Sequence, residues 1–212
     1  MPSSEWNRFM DNFFGDPYMM WHDGIDPASA KYLTGEEREK GEEMLIESMN
    51  EGSYWAPMGL REMGSKKAIP IMKEIIDQTH NRLRIEIAHA LNVLENTTCY
   101  VSYIIQVLKN AGFWSSRMDA ARMLRYYNIP EVVEALFDSV EDVDYLVRNH
   151  SCESLLHIHG LPASISEYKE IFAEIIVDYD VEDEESIKDA HEHYKKAAKM
   201  LRELINNQTG GD

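Results

Sequence analysis

At 212 residues with 44% apolar side chains, the chain is long enough for one well-buried domain or a short repeat array, and too apolar to be disordered. Its 38 acidic and 21 basic side chains leave a formal charge of −17, which repels phosphate backbones and argues against nucleic-acid binding. The same charge suits solubility, or a basic protein partner drawn in by electrostatic steering.

Cys99 and Cys152 are the only cysteines and read as ordinary buried thiols of a reducing compartment. No basic segment followed by an apolar run opens the chain, and no apolar stretch reaches membrane-spanning length. The expectation is a cytoplasmic protein without membrane association.

Residues 1–32 crowd Trp6, Phe9, Met10, Phe13, Phe14, Tyr18, Met19, Met20 and Trp21 between breakers at Gly15, Pro17, Gly24 and Pro27. Trp6, Phe9, Met10 and Phe13 have helical spacing, so a short amphipathic helix is predicted, ended by Pro17. This segment reads as an N-terminal cap, the alternative being an exposed docking peptide.

Thr34 then caps a helix over 36–50, with Glu36 and Glu37 in its first turn and Met44, Leu45, Ile46 and Met49 on its apolar face. A second helix runs from Tyr54 to Gly64, where Pro57 fits only in the first turn. Three further helix pairs follow. Ile69 to Ile76 precede Ile85 to Leu94; Val101 to Leu108 precede Met118 to Leu124; Val132 to Phe137 precede Val147 to Leu156, stopped by Gly160 and Pro162. Arg84, Arg117 and Arg148 mark equivalent points, 33 and 31 residues apart. A period of this size predicts stacked helix pairs over about 33–64, 65–96, 97–128 and 129–162, since no pair can bury its apolar face alone.

Within each period an arginine is followed by a small residue four positions on and leucine three later: Arg84/Ala88/Leu91, Arg117/Ala121/Leu124 and Arg148/Cys152/Leu155. This pattern resembles the HEAT and HEAT-like (PBS-lyase-type) repeat. The resemblance implies an all-α, right-handed α-solenoid (α-α superhelix) of about four helix pairs. It also implies that Arg84, Arg117 and Arg148 bond along the stack to acidic turn residues, for which the chain offers Asp142 or Asp144 in the fourth repeat and Asn81 in the second. The first repeat departs from the pattern, with Ser53 in place of the arginine.

Beyond Pro162 the period is lost. One helix is expected over 165–179, then an acidic loop from Asp178 to Glu185. A last helix carries Ile187, Ala190, Tyr194, Ala197, Leu201 and Leu204 and caps the array over 163–207; half of a coiled coil is the alternative. Residues 208–212 read as a frayed tail.

His157/His159 and His191/His193 are spaced by two, which on a helix points them to different faces, whereas a chelating pair wants three or four. The 178–185 acids lack the alternating ligands and glycine of a calcium loop. No phosphate loop, serine elbow or Cys-x-x-Cys pair occurs, so neither cofactor nor metal is expected, and no residue is nominated for catalysis.

In HEAT-like solenoids the second helix of each pair lines the concave side. The resemblance therefore places Trp55, Glu86, His89, Asp119, Arg122, Tyr126, His150, Glu153 and His157 together as a partner-binding ladder. Their mixture of aromatic, cationic and acidic groups resembles interface composition. Val93, in the same register, reads as filler between helices. The expected function is non-catalytic: an acidic groove gripping a protein partner, by a monomer or weak dimer. In general character this is similar to HEAT-like proteins that serve as toxin-neutralising immunity proteins. The competing class is an enzyme on the same scaffold, a nucleic-acid glycosylase or a lyase.

Overall fold

The structure, a computed structural model, describes residues 1–209, and every regular element among them is helical. The chain forms two compact units, Met1–Tyr103 and the chain from Ile104 onward. The boundary falls within the helix Val101–Asn110, inside the third expected pair. Among the described residues no helix is long and apolar enough to cross a membrane.

In the first unit, α1 (Ser4–Phe14) and α2 (Pro17–Asp23) are followed by a 3-10 turn over Pro27–Tyr32, then α3 (Gly35–Asn50), α4 (Trp55–Met63), α5 (Ala68–Ile75) and α6 (Asn81–Glu95). Ser3 caps α1 by accepting from the Trp6 amide, and its own hydroxyl donates to Glu37 at the start of α3. Gly15 ends α1; Pro17, expected only to stop that helix, opens α2 as its first residue, where its missing N–H costs nothing.

The aromatic segment is only partly enclosed. Phe9 and Phe13 are buried, whereas Tyr18, Met19 and Trp21 on α2 are exposed. Phe13 reaches α4 at Gly59, where a Cβ would lie 2.7 Å from the phenyl ring and 2.8 Å from Leu45 Cδ1. A glycine in mid-helix, unfavourable by propensity, is here the space the ring occupies. Thr34 holds the N-cap position of α3 as expected, but its hydroxyl makes no cap bond. α4 is the hub of this unit, packing against α3, α6 and the 27–32 turn.

The second unit takes in most of α7 (Val101–Asn110), α8 (Trp114–Leu124), α9 (Pro130–Ser139), α10 (Tyr145–Ile158), a 3-10 turn over Ile165–Glu167, α11 (Lys169–Ile175) and α12 (Glu184–Thr209). α10 packs against α8, α9 and α11. The α8–α10 contact is close enough for the Ser154 hydroxyl to donate to the Ala121 carbonyl at 2.9 Å.

The single helix expected over 165–179 is not formed. The chain makes a 3-10 turn, leaves helical geometry at Tyr168 and then completes only Lys169–Ile175, leaving Ile176 exposed. Ile165, Ile171 and Ile175 are each buried. α12 buries Ala190, Tyr194, Ala197, Leu201 and, in place of the expected Leu204, Ile205. It lies on α11 and reaches α9, where Arg202 grips Glu134 by two bonds of 2.8 and 2.9 Å and covers the Phe137 ring. Of the expected tail 208–212, Gln208 and Thr209 continue α12, and 210–212 lie outside the described residues.

Candidate functional site

Arg117 and Arg148 tie the turns and helices of the second unit together. Arg117, in the first turn of α8, forks onto Asp142 in the α9–α10 turn: Nε donates to Oδ2 at 2.7 Å and one terminal nitrogen to Oδ1 at 2.9 Å. Its other terminal nitrogen donates to the Ala111 carbonyl. Both ion-pair partners are 13% exposed, so this is a bidentate, largely desolvated pair rather than a surface contact. The pairing raises the arginine's already high pKa.

Asp142 is used further: Oδ1 also accepts from the Asp144 amide at 2.8 Å, and its backbone carbonyl accepts from Arg148 at 2.7 Å. Arg148 is buried, donates further to the carbonyls of Val143 and Ile175, and lies 3.7 Å over the Tyr194 ring of α12. Burial lowers its pKa, while the neighbouring Tyr194 and Asp142 oppose the shift.

Asp144, expected to take an arginine, does not. Its carboxylate caps α10 by accepting from the amides of Leu146 and Val147. Two carboxylates two residues apart thus have separate tasks, and only the second lies immediately before the helix, where an N-cap belongs. Arg84 also departs from expectation. It donates to the Asp77 carbonyl at 3.0 Å, and its buried Nε has no hydrogen-bond partner. Asn81 begins α6 with a positive φ of 51°.

In the first unit, Trp55 is half-buried, its ring 4.4 Å from Tyr54, with the Arg82 guanidinium over both rings at 4.4 and 4.9 Å. Glu86 does not project outward: it is 4% exposed, which removes it from any open surface. His89 is half-buried; desolvation, with a smaller contribution from the Arg61 charge, pushes its pKa down to about 4, so it is neutral near pH 7. Val93, expected as filler, is exposed.

In the second unit the remaining ladder positions fall on, or just after, two helices that pack against each other. Asp119 and Arg122 on α8, and Tyr126 in the turn just after it, correspond to His150, Glu153 and His157 on α10, each pair 31 residues apart. Arg122, Tyr126 and His157 are exposed; Asp119, His150 and Glu153 are half-exposed. His150 Nδ1 lies 3.0 Å from Glu153 Oε2 along one helix face. Tyr126 is the large aromatic of this ridge, 65% exposed.

Cys152 lies in the same helix as the His150–Glu153 pair, which raises the question of a cysteine nucleophile. It is fully buried, and burial, helped by the Glu153 charge, pushes its thiol up to about 12. A thiol held protonated and out of water is not a nucleophile. Cys99 is exposed, not buried as expected, and its sulfur accepts from the Thr97 hydroxyl.

Of the paired histidines, His157 is exposed and His159 turns inward, its Nε2 buried without a partner and its pKa lowered by desolvation. His193 lies 2.5 Å from Glu174 on α11, and Lys196 holds the other oxygen of that carboxylate at 2.6 Å. No group of three or more His, Cys, Asp or Glu side chains placed to hold a metal occurs among the described residues.

Two surface hollows lie away from the ladder residues. One of about 500 Å³ is lined by Ser3, Arg8, Tyr32 and Glu37, and one of about 530 Å³ opens between α11 and α12, lined by Tyr168, Ile171, Met200 and Leu204. The links Arg148–Tyr194, Arg202–Glu134 and Glu174–His193 were not visible in the sequence, because their partners lie outside the repeating pattern. The chain matches no protein-family model, no curated protein and no solved structure.

Proposed function

We propose that the chain is a non-catalytic HEAT-like α-solenoid that binds a protein, using the second helices of its repeats. The observation that carries this reading is the α8–α10 ridge. Equivalent positions on or just after two packed helices leave Arg122, Tyr126 and His157 exposed and Asp119, His150 and Glu153 half-exposed, a composition typical of recognition surfaces. The relay from Arg117 through Asp142 to Arg148 supports the repeat reading, since it ties successive second helices at one register. The charge of −17 favours a basic partner through steering and complementarity. A partner of the kind that toxin-neutralising immunity proteins capture fits these properties. The buried, protonated Cys152 beside His150 and Glu153 weighs against a catalytic role for this helix.

The test is capture by the tagged chain from native lysate, comparing wild type with Asp119→Lys, Tyr126→Ala and Glu153→Lys combined. Glu86 is left native because it is buried. One stoichiometric protein retained by wild type and weakened about tenfold or more in the triple variant, with helicity unchanged, is the expected result. Equal capture by both chains would sink the proposal.

A further inference from the structure

At the end of α10 away from His157, three segments of the second unit leave apolar side chains in water. Val143 in the α9–α10 turn, Tyr145 and Leu146 in the first turn of α10, Ile176 after α11 and Val181 in the α11–α12 link are each between 36% and 74% exposed. The segments adjoin one another. The Tyr179 hydroxyl donates to the Val143 carbonyl at 3.4 Å, and Arg148, one turn into α10, donates to the Ile175 carbonyl at 3.0 Å. Singly exposed apolar residues need no explanation, but five contributed by three adjoining segments form a surface that water disfavours.

The border of this surface is anionic. The link from Asp178 to Glu185 carries six carboxylates and no basic residue. Three of the acids, Asp178, Asp180 and Asp183, accept from amides of their own loop, at Tyr179, Glu182 and Glu185. Among the described residues no basic side chain forms an ion pair with any of the six. Exposed aliphatic groups beside a dense unneutralised anionic border are complementary to one chemistry: an amphipathic segment with apolar side chains flanked by lysine or arginine. We infer that this end of the second unit is a docking surface for a cationic amphipathic protein segment, separate from the α8–α10 ridge. Lysines and arginines are steered in by the Asp178–Glu185 link, and the apolar side chains of the segment cover Val143, Leu146 and Val181.

The test uses fluorescence anisotropy with the full chain and three labelled peptides: a leucine/lysine helix, a peptide of the same charge with serine for leucine, and one with glutamate for lysine. At about 0.15 M salt, where long-range attraction between exposed charges is largely screened, the leucine/lysine peptide binds wild type at least about tenfold tighter than the serine/lysine one. The glutamate peptide does not bind. Val143→Ser, Leu146→Ser and Val181→Ser together weaken the leucine/lysine peptide about tenfold and leave the serine/lysine peptide unchanged. Should that variant lose helicity, Val181→Ser alone, outside any helix, gives a loss of about threefold. The ridge variant with Tyr126→Ala and Glu153→Lys binds the peptide as wild type does, so failure here and failure of the proposed function are separate results. Equal affinity for the two cationic peptides, or unchanged affinity after the serine substitutions, overturns the inference. So does a wild-type dimer that the serine substitutions convert to monomer, because the occupant is then a second copy of the chain.

Discussion

His89→Gln removes one titrating group from the first unit while keeping a polar side chain of similar reach. In the folded chain the His89 pKa is about 4, and in the unfolded chain it returns to 6.5. The sign follows directly: below pH 6.5 the unfolded chain takes up a proton that the folded chain refuses, so acid favours unfolding. The stability tied to a neutral His89 is complete above pH 6.5 and is lost as pH falls towards 4. From pH 7.5 to pH 5 the loss integrates to about 2 kcal/mol, rising to about 3 kcal/mol near pH 4. Urea unfolding at several pH values reads it, followed by tryptophan fluorescence, because Trp6, Trp21 and Trp55 lie in the first unit. The His89→Gln chain should lose about 2 kcal/mol less than wild type over that interval. Carboxylates enter later: Glu174, whose pKa is lowered by its bonds to Lys196 and His193, destabilises only as pH falls below the usual glutamate range. Parallel pH profiles for wild type and His89→Gln would refute the reasoning.

Other outcomes follow from the second unit and from the thiols. Asp142→Ala removes the fork that holds Arg117 and leaves its guanidinium desolvated, costing about 3 kcal/mol in chemical denaturation; a loss under 1 kcal/mol would place the pair among ordinary surface contacts. Arg148→Met keeps an unbranched apolar stem but removes the guanidinium from the Tyr194 ring and strips three carbonyls of their donor, at a cost of about 3 kcal/mol, read as an earlier thermal transition by circular dichroism. Gly59→Ala improves helix propensity yet drives a methyl against Phe13 and Leu45, so a net loss of about 1–3 kcal/mol is expected, and a stabilised variant would show that the ring moves freely aside. In native conditions a thiol reagent should label one cysteine per chain, Cys99, with Cys152 reacting only after denaturation; two rapid equivalents would contradict the burial of Cys152.

The helices were largely legible in the sequence because their signals are local. Gly64 and Gly160 mark stops, Pro130 a start, and the arginine period locates α6, α8 and α10. What escaped depends on distant partners or on competition between neighbours. Asp142 and Asp144 look alike as carboxylates in one turn, and only the helix start at Tyr145 assigns one to the cap and the other to Arg117. Glu86 occupies a ladder position by counting, yet the packing of α6 against α4 and α5 encloses it. The apolar spacing across 165–179 suggested one helix, and nothing local announced that Tyr168 would leave helical geometry.

The two ends of the relay through Asp142 differ in what they require of the sequence. Arg117 needs a carboxylate, a property only the side chain at 142 can supply. Arg148 is answered by the carbonyls of residues 142, 143 and 175, which any amino acid at those positions carries, and by one aromatic ring. In a saturation-mutagenesis map, the first joint will therefore show two intolerant positions, 117 and 142. The second will show intolerance at 148 and 194, with no demand from Arg148 on the side-chain identity of its carbonyl partners. The same type of residue at the same register is thus specified by side-chain chemistry at one joint and by backbone geometry at the next.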